Sequence, residues 1–105
     1  MNEYKKWLIN KGYATVVNNR PSTCYDYLRA ISYIRKHQNN ITVEELAKNI
    51  STIAPQYQKG GCYEIIGRGM SRSIRASALA FYRFVLIGRL ILQSFLYSLC
   101  SHLCF

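Results

Sequence analysis

Acidic residues are the scarcest functional class in this chain. Its 105 residues include five Asp and Glu against fourteen Lys and Arg, a formal charge of +9, and no acid follows Glu64. Metal-assisted cleavage of phosphodiesters needs clustered carboxylates, and none is in prospect. Glu44 and Glu45 stand where a helix should begin, and the helix dipole accounts for them there. Cysteines number four, with no Cys-x-x-Cys pair. Cys100, His102 and Cys104 crowd together, but not at the spacing of a common zinc site, so neither metal nor cofactor is expected. Sustained period-2 alternation is missing, which argues against a sheet. No apolar core suited to a signal peptide follows the start, because Lys5, Lys6 and Lys11 interrupt it. A cytoplasmic location with free thiols Cys24, Cys62, Cys100 and Cys104 is expected. Gly67-x-Gly69 has no preceding strand and no Gly-Lys-Ser/Thr sequel, so it is not a phosphate-cradling loop.

What the chain does have is basic charge and helix-period apolar stripes. The charge favours a polyanionic partner, either nucleic acid or an anionic membrane surface. The stripes predict an all-α fold, a small bundle of four to five helices without a sheet. The first helix covers 2–11, with Asn2 as N-cap, Tyr4, Trp7 and Leu8 as its buried stripe and Gly12 as a left-handed stop. Trp7 reads as a core anchor. After a connector ending in Asn18-Asn19-Arg20-Pro21, a second helix begins near Ser22 or Thr23, where Thr23 and Asp26 have capping-box spacing. Cys24, Tyr27, Leu28, Ile31 and Ile34 face inward. Tyr25, Arg29, Ser32, Tyr33 and Lys36 are left outside, an interleaving of aromatic and basic groups that can touch sugar–phosphate or simply be wet. A third helix has Thr42 as N-cap, Glu45 at N3 and an Ile41–Leu46 staple, with Leu46, Ala47 and Ile50 on its apolar edge. A short fourth helix is expected over 51–58, capped by Ser51. Ile65 and Ile66 are expected to tuck inward.

The stretch Gly69 to Val85 predicts the helix on which the others depend. Ser71 or Ser73 is its candidate N-cap, and Ile74, Ala78, Phe81, Tyr82 and Val85 form one apolar face. At about 100° per residue, Arg72, Arg75 and Arg83 share a second arc roughly 80° wide. Guanidinium groups without a neighbouring carboxylate suit phosphate, and ordinary solvated arginines are the plain alternative.

Leu86-Ile87-Gly88 would close this helix, dividing the chain into a helical domain over 1–88 and an apolar tail over 89–105. From Leu90 the apolar run is 16 residues, short of the roughly 20 that span a bilayer. Three readings of the tail compete: a further core helix, an extension translated past a disrupted reading frame, and a membrane anchor. If the helix instead ran on unbroken, Arg89 would fall on its buried side and would need a partner or a route to water.

Three segments carry a resemblance: Met1 to Leu8 with its Trp-Leu pair, Pro21 to Ile31, and Ser71 to Val85 with Phe81-Tyr82-Arg83-Phe84. Together they resemble the SAM-like N-terminal core-binding domain of tyrosine recombinases (phage integrases), over about residues 1–87. Lys59-Gly60-Gly61 is also similar to N-terminal modules of some bacterial restriction endonucleases. The resemblance implies a helical module that clamps double-stranded DNA opposite a catalytic domain. By position it implies Thr23, Tyr25, Arg72, Arg75 and Arg83 as DNA contacts, with Arg68 just ahead of the last helix. It does not extend to chemistry, since neither His37 nor His102 begins a His-x-x-Arg motif. The chain is then expected to bind without cutting, as a truncated module whose catalytic partner, if any, is on another chain. The rival readings are a basic membrane-associated protein anchored by the tail and a protein-interaction domain that self-associates through it.

Overall fold

The structure, a computed structural model, describes residues 2–13, 16–17, 20–21 and 23–103, with side chains described for 3–13 and 23–89. Its elements run α1 (Asn2–Asn10), β1 (Val16–Val17), β2 (Arg20–Pro21), α2 (Thr23–His37), α3 (Val43–Ile53), a 3-10 turn (Ala54–Tyr57), α4 (Glu64–Gly67) and α5 (Ser73–Leu103). The fold is all-α. The connector adds a two-residue antiparallel ladder, Val16 opposite Pro21 and Val17 opposite Arg20, a hairpin far too small to stand alone.

α1 is too short to persist by itself. Tyr4 and Leu8 are fully buried, each large buried side chain contributing roughly 1.5–3 kcal/mol. The Tyr4 ring meets Phe81 edge-on at 5.0 Å, and Trp7 packs against Phe84 at 5.7 Å. Gly12 ends the helix as expected, at φ +100°. Its N–H donates to the Ile9 carbonyl and that of Tyr13 to Leu8, the paired bonds of a Schellman stop. Asn2 is the first helical residue, and its side chain lies outside the described set, as do Asn18 and Asn19.

α2 starts at Thr23, already helical, while Ser22, the other expected start, lies outside the described residues. Cys24, Ala30, Ile31 and Ile34 are buried, while Tyr25, Arg29, Ser32, Tyr33 and Lys36 are exposed. Asn39 and Asn40 turn the chain through left-handed φ of 68° and 57°, a conformation Asn tolerates. Arg35 Nε donates to the Ile41 carbonyl at 2.9 Å across that turn. Thr42 caps α3 as its sequence predicts, Oγ1 accepting from the Glu45 N–H at 3.1 Å. Leu46, Ile50 and Ile53 are its buried row.

Two expectations for the middle of the chain fail. Ser51 caps nothing: α3 runs through it to Ile53, and the backbone then tightens directly into the 3-10 turn, where Pro55 needs no N–H partner. Ile65 is 82 % exposed rather than tucked in, because the short helix α4 turns Ile66 and the buried Gly67 toward the core instead. Gly67 is there because nothing larger fits. A Cβ on it would lie 1.9 Å from the Tyr57 carbonyl oxygen.

α5 packs along α2, α3 and the 3-10 turn and also meets α1 and α4. Neither Ser71 nor Ser73 caps it. Met70, Ser71 and Arg72 have φ of 53°, 55° and 70°, a left-handed turn unusual for residues with a Cβ. Ser73 is already helical, and Arg72 takes the cap position, its carbonyl accepting from the Ala76 N–H. α5 does not close at Gly88 but continues to Leu103, about 46 Å in all. Arg89 is accommodated by reaching across to α3, Nη2 donating to the Ala47 carbonyl at 2.9 Å with its head still in water. Among the described residues no helix is long and apolar enough to cross a membrane. The side chains of 90–105, on which the three readings of the tail turn, lie outside the described set.

Two glycine substitutions test this architecture in opposite directions. Gly67→Ala is expected to lower unfolding free energy by about 1–3 kcal/mol through overpacking. Gly88→Ala, with open space around its Cβ, is expected to raise it by about 0.5–1 kcal/mol as a mid-helix site. Urea unfolding measures both, and a destabilised Gly88→Ala would mean that the helix ends there.

Candidate nucleic-acid interface

At about 100° per residue, Tyr25, Arg29, Ser32, Tyr33 and Lys36 occupy one arc of α2 roughly 100° wide and 16 Å long. All five are exposed, because the opposite arc is committed to the core. Lys5 of α1 joins the stripe, its Nζ 5.5 Å from the Tyr25 ring centroid, within reach of a cation–π attraction. Between this face and the left-handed turn lies an open cleft of about 320 Å³, lined by Arg29, Ser32, Tyr33, Lys36 and Met70. No carboxylate lines it. Arg72, exposed, follows Met70 by two residues.

Tyr33 is braced from behind. Its ring stacks on His37 at 6.2 Å with an interplanar angle of 7°. His37 in turn meets the Tyr63 ring edge-on at 4.5 Å, and its Nδ1 lies 2.6 Å from the hydroxyl of the fully buried Tyr57. Gln38 Nε2 donates to the same hydroxyl at 2.9 Å, so two side chains from the end of α2 meet on one buried phenol. Burial pushes the Tyr57 phenol above its ordinary value, against the lowering effect of the Gln38 bond.

The six residues expected as DNA contacts do not form one patch. Arg72 stands outside the regular helix, so it does not share the arc of Arg75 and Arg83. In the chain it follows Met70, which lines the α2 cleft, by two residues. Tyr25 belongs to the α2 stripe, but Thr23 is exposed roughly 160° around the same helix. Arg68 is ion-paired with Glu64 at 3.2 Å, an exposed pair of small value. Arg75 is half-buried, and its carbonyl accepts from Gln58 Nε2 at 2.9 Å. Arg83 belongs to a separate groove of about 540 Å³, with Trp7, Lys11, Tyr13, Ala80, Leu86 and Ile87. Tyr27, close by, has its phenol raised by burial first and by Tyr13 next, against the pull of Arg83. Arg29, Tyr33 and Lys36 were legible as an outer face from their spacing. The His37–Tyr57–Tyr63 brace was not, since it unites residues 20 or more apart.

Among the described residues, no three His, Cys, Asp or Glu side chains gather into a metal-holding group. The trio Cys100, His102 and Cys104 lies outside the described side chains. Comparison with protein-family models, with curated proteins and with solved structures found no match.

Burial gives these phenols a measurable signature. Tyr4, Tyr27 and Tyr57 all have folded values raised chiefly by burial. Their contribution to stability is therefore complete below the ordinary phenol value of about 10 and is lost as pH rises through the higher folded values. Of nine tyrosines, these three are expected to lag in phenolate absorbance during an alkaline titration and to ionise only as helicity falls. Uniform titration of all nine near pH 10, with helicity intact, would contradict that burial.

Proposed function

We propose that this chain is a DNA-binding helical module that grips backbone phosphates and carries out no cleavage itself. One observation carries the reading: the exposed stripe Tyr25–Arg29–Ser32–Tyr33–Lys36, with Lys5 at its border and a carboxylate-free cleft at its centre. A net charge of +9 concentrates anions near such a face, and backbone contacts of this kind position a protein with little base readout. The likeness to the SAM-like core-binding module of tyrosine recombinases fits the same reading. Phosphate contact is assigned first to Arg29, Lys36 and Arg72. Arg83 is secondary, on its own groove. Arg75 contributes less because it is half-buried, and Arg68 less because releasing it means parting it from Glu64.

A second reading has its own observation. The outer face of α5 carries the exposed apolar side chains Leu79, Leu86 and Ile87, which favours a protein-interaction role for that helix. The α2 stripe that leads the first reading is on another face, while Leu86 and Ile87 share their groove with the secondary contact Arg83, so substitutions on α2 test the first reading with the second intact.

The phosphate reading predicts strong salt dependence. Each neutralised phosphate contributes a slope of roughly −0.9 in log K against log salt. The double change Arg29→Ala/Lys36→Ala is expected to flatten that slope by nearly two and to weaken binding similarly on unrelated sequences. Fluorescence anisotropy across a salt series measures it. An unaltered affinity and slope in a folded double variant would reduce the stripe to a solvated face.

A further inference from the structure

We propose that the α2 cleft takes an unpaired nucleotide, so that single-stranded DNA is the preferred form of the ligand. This rests on the nucleic-acid reading above and goes beyond it. A face that only tracked a duplex backbone would need cations alone. Here the cations flank a tyrosine ring. Tyr33 is 44 % exposed, lines the cleft with Arg29, Ser32 and Lys36, and is backed on one side by His37. His37 is not among the residues lining the cleft, so it supports the ring without occupying the space in front of it.

The support matters physically. An exposed tyrosine on a helix ordinarily samples several rotamers and loses that freedom on binding. Tyr33 is restrained beforehand, because its stacking partner is hydrogen-bonded to buried Tyr57 and fixed edge-on by Tyr63. A pre-ordered platform loses less entropy when a base stacks on it. Base–aromatic stacking tolerates any sequence, since every base presents a π-face, and it requires the base to leave its own stack. Arg29 and Lys36 stand one turn to either side, and the Ser32 hydroxyl adds a donor. The cleft thus offers cationic groups for a phosphate next to a platform for its base. In a duplex the bases are stacked on one another, and the platform has nothing to hold.

Anisotropy titrations with a labelled oligothymidylate and with a blunt duplex of equal length, at the same low salt, test this. The expected result is tighter binding of the oligothymidylate. Tyr33→Ala should weaken that binding by about 5- to 100-fold while leaving duplex binding unchanged, and Tyr33→Phe should retain it. Circular dichroism confirms that both variants are folded. Equal or tighter duplex binding, or an equal loss on both probes in Tyr33→Ala, would overturn the inference while the phosphate reading stands. No binding of either probe would overturn both.

Discussion

The hydrogen bond from Ser77 Oγ to the Tyr27 carbonyl, 2.8 Å long, fixes how the two main helices lie. Apart from the phenols of Tyr4 and Tyr57 and the Cys24 thiol, Ser77 is the one buried polar side chain among the described residues. Its hydroxyl and carbonyl also lie 3.4 Å from the Tyr4 hydroxyl, so α1, α2 and α5 converge on one residue. A buried hydroxyl without a partner would be costly, and that penalty sets the register of α5 on α2. With Ser77 beside Tyr27, and Met70 beside Ser32 and Lys36, the helices must run antiparallel. The inner arc of α2 is thereby consumed, and Tyr25, Arg29, Ser32, Tyr33 and Lys36 are left on the exposed side.

The same register carries the left-handed turn over to α2. Three consecutive residues with positive φ cost about 1–2 kcal/mol each, and tertiary packing has to hold them. Met70 packs against the core while bordering the cleft, and the exposed Arg72 follows it within the same turn. On the far side, the polar group of Gln38, Gln56, Tyr57 and His37 knits the end of α2 to the 3-10 turn. The cleft is therefore bounded by two elements that the core itself positions, and Tyr33 inherits its restraint from a fully buried phenol.

Much of this was legible in the chain because local rules decided it. Thr42 with Glu45, Gly12 after Asn10, and the apolar periods of α1, α2 and α3 each rest on neighbours within one or two turns. The failures share a cause as well. Ser51 can start a helix, but only if the previous one stops, and α3 gains by burying Ile53. Gly88 can stop a helix, yet α5 has Arg89 bound to the Ala47 carbonyl on the far side of the bundle, a contact no local pattern reveals. Arg72, Arg75 and Arg83 fall on one arc only if the helix begins before Arg72, and the left-handed turn delays it. Ser77 reads as an unremarkable helix residue in sequence, since its importance lies in a carbonyl 50 residues away.

Mapping amide shifts in a ¹⁵N-labelled sample during titration with DNA asks directly which face meets the ligand. If the α2 stripe is the interface, the perturbed residues will be those over 25–36, together with Met70 to Arg72 and the neighbourhood of Lys5. The outer face of α5 around Leu79 will then stay unshifted, and any shifts in the Arg83 groove will be weaker than those of α2. Shifts confined to that apolar face, or to the Lys11–Arg83 groove with α2 undisturbed, would contradict the account.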